Sequence, residues 1–144
     1  MRWKLLQETG GKTYALIFNT GDEAKSGLVQ FAKDQGLGAS HFTAIGAFRD
    51  VTLAYFDWQT KQYKKISLRE QVEVLSLVGD VALKEDGEPE IHAHVVVGKS
   101  DASAWGGHLM EAHVRPTLEV ILVESPRHLQ RKFDKESGLA LIRI

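Results

Sequence analysis

Two histidines one residue apart, His92 and His94, lie in the run Ile91-His92-Ala93-His94-Val95-Val96-Val97, and a third, His108, follows Trp105-Gly106-Gly107. Residues i and i+2 of a strand face the same way. His92 and His94 would therefore project side by side from a rigid support, with Ala93 and Val95 on the other face. Two fixed neutral imidazoles form a bidentate platform before any ion arrives. A third, brought in from the glycine-containing stretch before His108, would complete a three-nitrogen set. Such a set leaves a fourth position for water or substrate, the pattern of catalytic rather than structural zinc. The simpler reading stays open: paired strand histidines can hydrogen-bond to each other on a polar sheet face. Against it, the strand is otherwise apolar, so two imidazoles on it need partners.

The remaining polar candidates are weaker. His113, five residues beyond His108, is a secondary ligand candidate, and His41 and His128 read as ordinary surface or partly buried histidines. Glu111, Glu119 and Glu73 could orient a ligand or act as a base, although a solvated face or a salt bridge accounts for each. Gly36-Leu37-Gly38 follows a helix instead of opening one, so it is no phosphate loop. No serine sits in a GxSxG elbow. The basic run 127–135, with Arg131, Lys132 and Lys135, reads as a solvated helix face.

The chain has to position these groups within 144 residues, a length that predicts one domain spanning 1–144. The absence of cysteine excludes disulfides and thiolate metal sites and fits a reducing cytoplasm. No apolar run near the N-terminus reaches the roughly 18 residues that span a membrane, and Lys4, Gln7 and Glu8 interrupt any signal-peptide core. A cytoplasmic, unprocessed protein without membrane contact is expected. The formal net charge is −1, which offers no general attraction to a phosphate backbone and counts against direct DNA binding.

Periodicity predicts strands over residues 4–7 and 13–19, parted by Gly10-Gly11. A helix follows through Gln35, with Ala24, Leu28, Phe31 and Ala32 at helical spacing and an N-cap at Thr20 or Asp22. Strands are predicted over 41–47 and 51–57, with a break at Arg49-Asp50, then over 64–68, 72–83, 91–97, 117–123 and 139–144. Residues 98–107 read as a loop, 107–112 as a short helix or turn, and 126–133 as helical at best. Many short strands around one clear helix predict an α+β fold: a mostly antiparallel central sheet or open barrel with the helix packed on it.

Several segments taken in order resemble a known family. They are Val72-Glu73-Val74-Leu75-Ser76-Leu77-Val78-Gly79, Ile91-His92-Ala93-His94, Gly106-Gly107-His108-Leu109 with Glu111-Ala112, and Thr117-Leu118-Glu119-Val120; Gly21-Asp22-Glu23 and Ala44-Ile45-Gly46-Ala47 also fit. Together they resemble the PPC (plants and prokaryotes conserved) domain, in its stand-alone prokaryotic branch. The resemblance implies a fold like that of acetolactate decarboxylase, a homotrimer, and a metal held by His92, His94 and His108, with Zn²⁺ expected and another divalent transition metal the alternative. Fold-level likeness transfers no reaction. Plant relatives carry an AT-hook, and this chain has no Arg-Gly-Arg-Pro core. Three roles are compatible with the resemblance. They are a metal-dependent enzyme acting on a small molecule, a DNA-associated accessory protein, and a trimerisation module with a structural metal.

Overall fold

In the computed structural model, residues 1–125 and 127–144 are described. They form β1 (Arg2–Gln7), β2 (Thr13–Asn19), α1 (Ala24–Gln35), β3 (Ala39–Asp57), β4 (Gln62–Leu68), β5 (Val72–Leu83), β6 (Pro89–Gly98), β7 (Ala104–Glu124), β8 (Gln130–Phe133) and β9 (Ala140–Arg143). The molecule is dominated by strand, with one helix, which shifts the expected α+β balance firmly towards β.

β3 pairs with β5 and β7, β5 with β6, and β6 with β7, all antiparallel, so four strands close into a ring. The expected open barrel is thus closed, by the length of β7. That strand reaches β6 near its start and β2 near its end while keeping β3 along its other side. The β1–β2 hairpin extends the sheet beyond β7, and β4 folds back on β3. The β8–β9 hairpin joins β5 through one parallel bridge, Leu83 to Gln130, which makes the sheet mixed.

Alternation fixes which residues fill the ring. Leu77 and Val81 of β5, Ile91, Ala93, Val95 and Val97 of β6, and Leu109, Leu118 and Val120 of β7 are buried in one cluster. Helix α1 adds Ala24, Leu28, Phe31 and Ala32 to that cluster and packs against β6 and β7. Its N-cap is Glu23, not Thr20 or Asp22. The Glu23 carboxylate accepts from the backbone N–H groups of Lys25 and Ser26, and also from Ala112 of β7 at 3.0 Å, so it caps the helix and ties it to the sheet. Asp22 instead accepts from the Asn19 N–H and pairs with the N-terminal amine.

Four expectations need correction. β3 runs unbroken through Arg49-Asp50; that polar pair marks the point where β3 exchanges β5 for β4 as neighbour, with bulges opposite β7. The loop expected over 98–107 is shorter, because Ala104–Gly107 already pair with β6. Residues 107–112 are strand, neither helix nor turn. Of residues 126–133, Pro126 lies outside the described residues and Gln130–Phe133 is strand β8.

Candidate metal centre

His92 and His94 share the face of β6 opposite buried Ala93 and Val95. His94 and His108 are direct cross-strand partners on β6 and β7. The β6–β7 hairpin therefore converts an i, i+2 pair into a triangle, with one ligand-capable atom from each residue and all three atoms within 4.8 Å of one another. The Nε2 atoms of His92 and His94 lie 3.2 Å apart. Two nitrogens each about 2.0–2.1 Å from a tetrahedral ion would stand roughly 3.3 Å apart. The same spacing suits an imidazole–imidazole hydrogen bond, so the third ring decides between the readings. His108 Nδ1 is buried with no hydrogen-bond partner. An unpaired buried imidazole nitrogen is costly in a purely structural cluster.

The two glycines before His108 make no turn. They are extended in β7, and a Cβ on Gly107 would stand 2.8 Å from the Ala54 carbonyl oxygen of β3. Close approach of β7 to β3 is what this glycine permits. Opposite, a Cβ on Gly79 of β5 would come within 2.6 Å of the His92 carbonyl oxygen.

The electrostatic setting favours the neutral forms of His108 and His92. Burial depresses the His108 pKa to about 4, helped by the Lys25 ammonium and the neighbouring His92 and His94. Burial and then the Arg131 guanidinium lower that of His92, while Asp80 works in the opposite sense. Asp80 is the cross-strand partner of His92, with Oδ2 3.9 Å from His92 Nδ1, an electrostatic neighbour beyond hydrogen-bond reach. Arg131 in turn holds Asp80 and stands 3.6 Å from Glu90. The ring of Tyr63 lies over His108 at 4.9 Å.

The structure brings His92, His94 and His108 together, and the secondary candidates lie outside that cluster. His113 hydrogen-bonds Asp50 at 2.6 Å. Glu111 stands near His113, and Glu73 and Glu119 are exposed. His41 and His128 are exposed. Arg131, read as part of a solvated helix face, is on β8 and only 5% exposed. Lys25, Tyr63, Asp80 and Arg131 were not singled out as site residues from sequence. Only Asp80 carried a usable signal, an acid between Gly79 and Val81 in the largely apolar strand beside the histidine strand.

A model of the Plants and Prokaryotes Conserved (PCC) domain, the PPC domain above, matches residues 6–126. This chain belongs to that family. Among solved structures, a metal-containing protein from Archaeoglobus fulgidus is 34% identical, with a TM-score of 0.86 over 99% of this chain and 97% of that one. A Bacteroides thetaiotaomicron protein, described provisionally as DNA binding, is 27% identical, with a TM-score of 0.89 over 98% and 96%. Among curated proteins, the bifunctional protein GlmU of Synechococcus sp. (strain JA-3-3Ab) is 32% identical over 127 residues, 87% of this chain. The chain spans only 18% of that relative's length. Acetolactate decarboxylase of Bacillus subtilis shares the fold at 12% identity and a TM-score of 0.54, over 86% of this chain and 57% of that one. No helix among the described residues is long and apolar enough to cross a membrane.

Proposed function

We propose that His92, His94 and His108 hold a divalent transition metal, with Zn²⁺ the best suited to three imidazoles, in a small-molecule site of a self-associating cytoplasmic protein. The observation that carries this reading is the convergence of three imidazoles, one with an unpaired buried nitrogen. The metal-containing relative from Archaeoglobus fulgidus supports it. A bound divalent ion supplies a Lewis acid that polarises a carbonyl or activates water. The chain's own part is to hold the His92 and His108 rings unprotonated, keep His92 beside the Asp80 carboxylate, and leave one coordination position free of protein ligands. Metal analysis of protein purified without added metal tests this. About one ion per chain is expected, and His94→Ala is expected to release it. A folded wild-type chain that neither carries nor takes up a transition metal would overturn the reading.

Self-association as a homotrimer is part of the same proposal. Its support is an apolar surface on the outside of the ring: Ile45, Leu75, Val78, Val96 and Ile121 are all exposed. Val78 is the cross-strand partner of His94, so this surface runs up to the trio. A DNA-associated role has the description of the Bacteroides protein behind it, and the formal net charge of −1 counts against it.

A further inference from the structure

The β8–β9 hairpin brings residues 139–142 to the side of a cavity of about 350 Å³ that His92 and His108 also line. Its hold on the sheet is slight. One parallel bridge joins it to β5, next to which the Leu83 N–H donates to the Leu129 carbonyl at 2.8 Å. All four residues of β9 are exposed, and β8 buries one residue alone, Arg131. An apolar anchor would be less costly to desolvate than this charge, so what the guanidinium meets matters. Nη2 donates to Asp80 Oδ1, and Nε stands 3.6 Å from Glu90 Oε2. Asp80 is the register partner of His92. Its other oxygen, Oδ2, takes no hydrogen bond among the described residues and stands 3.9 Å from His92 Nδ1. The second nitrogen of that ring, Nε2, lies 3.2 Å from Nε2 of His94. One carboxylate thus stands between the anchor of the hairpin and the trio.

A neutral imidazole has one proton for two nitrogens. Without a metal, that of His92 can sit on Nε2 against His94 or on Nδ1 towards Asp80. Coordination through Nε2 confines it to Nδ1, and a ring bound in this way donates its remaining N–H to a carboxylate, carbonyl or water. A small rotation of Asp80, about 1 Å at the oxygen, brings Oδ2 within hydrogen-bond distance. We propose that metal binding at the trio tightens the docking of the β8–β9 hairpin through His92, Asp80 and Arg131. Asp80 and Arg131 act as positioning residues, since neither belongs to the ligand set. The metal-loaded chain is then the one that holds the cavity wall in place, and loading of the trio controls how a small molecule is received beside it. This coupling rests on the metal reading above. Charge alone predicts the opposite sign. A cation at the trio repels the Arg131 guanidinium and would loosen the hairpin, whereas a carboxylate fixed between two donors tightens it.

Hydrogen exchange of the full chain with and without Zn²⁺, read by mass spectrometry, tests the coupling. Exchange through local opening reports the docking of each segment apart from global stability. Residues 127–144 are expected to exchange about five- to tenfold more slowly on loading, and the β1–β2 hairpin to change much less. Linkage makes the effect reciprocal: docking tightens the metal by the factor by which the metal tightens docking. Asp80→Ala and Glu90→Ala each remove one negative charge beside Arg131, but only Asp80 faces the His92 Nδ1. Asp80→Ala, saturated with Zn²⁺, is expected to lose the slowing and to bind the metal about tenfold more weakly. Glu90→Ala is expected to keep the slowing and lose less affinity. Arg131→Lys, which keeps the charge but not the planar fork, is expected to keep part of the slowing. Faster exchange of residues 127–144 on loading, an equal change in both hairpins, or the full slowing in Asp80→Ala would overturn the coupling and leave the metal reading in place. A wild-type chain that takes up no metal would overturn both.

Discussion

A histidine metal set works only where protons lose the competition for its nitrogens. Here burial supplies the advantage: His108 is held to about 4 against an ordinary 6.5, and His92 is lowered in the same direction. Between those two values the unfolded chain binds a proton that His108 in the fold refuses. Stability therefore rises with pH through this window and is lost as pH falls through it. Urea midpoints of the metal-free protein are expected to drop steadily from pH 6.5 to about 4, and His108→Asn should make that drop shallower. An equal slope in the variant would show that His108 is not the group responsible. Added Zn²⁺ should raise the midpoint at neutral pH by mass action, and acid should remove the gain, because ligand protonation and metal binding exclude each other.

At the scale of elements, two contacts hold the trio in register. Gly79 lets β5 lie against β6. With alanine there, the new methyl would meet Phe42 at 2.5 Å and the His92 carbonyl oxygen at 2.6 Å, so β6 must shift. Gly79→Ala is expected to cost roughly 1–3 kcal/mol and to weaken metal binding disproportionately, since the displaced residue is a ligand. Glu23 does the second job, joining the start of α1 to Ala112 of β7. Burial pushes its carboxyl upward, but hydrogen bonds from Ser26, Ala112 and Lys25 outweigh it and hold the pKa low. Glu23→Ala should cost about 1–2 kcal/mol in chemical denaturation; a loss within error would mean that water replaces all three bonds. These two residues also mark what the sequence makes legible. The helix face and strands β2 and β5 announce themselves by period, and the i, i+2 histidines by spacing. Glu23 is not recognisable as the cap, because Thr and Asp, both just before it, are the preferred N-cap types, and its tie to β7 lies 89 positions away. Glycines in β7 imitate a loop, since their low strand preference is local while the close approach to Ala54 that requires Gly107 is tertiary. Arg131 looked solvated because the two carboxylates that bury it, Asp80 and Glu90, are 51 and 41 positions upstream.

At the scale of the molecule, charge and apolar surface point to different partners. A formal net charge of −1 gives little counterion release on DNA, so gel shifts at physiological salt should show at most weak, sequence-independent binding; a specific submicromolar complex would contradict this. The outer face of the ring is the stronger determinant. Ile121, Thr43, Val78 and His94 follow one another across β7, β3, β5 and β6 as register partners, and Ile45, at 61% exposure, flanks that row. Several large apolar side chains exposed on one face, here Ile45, Val78 and Ile121, are uncommon on monomers. The β8–β9 hairpin leaves Ile45 and Val78 exposed, as does helix α1, so the chain does not bury this face itself. Further copies of this chain packed around a three-fold axis would bury it, and the family resemblance supplies the number three. Sedimentation equilibrium at micromolar concentration should give close to three times the 16.0 kDa of one chain. Ile45→Asp places a charge beside that row, on a different strand from any of the three histidines. It should yield a single-chain mass while retaining the metal. A wild-type protein that sediments as one chain would refute assembly. A dissociated variant that also loses its metal would show that a neighbouring copy completes the centre, through His94 at the edge of the apolar face.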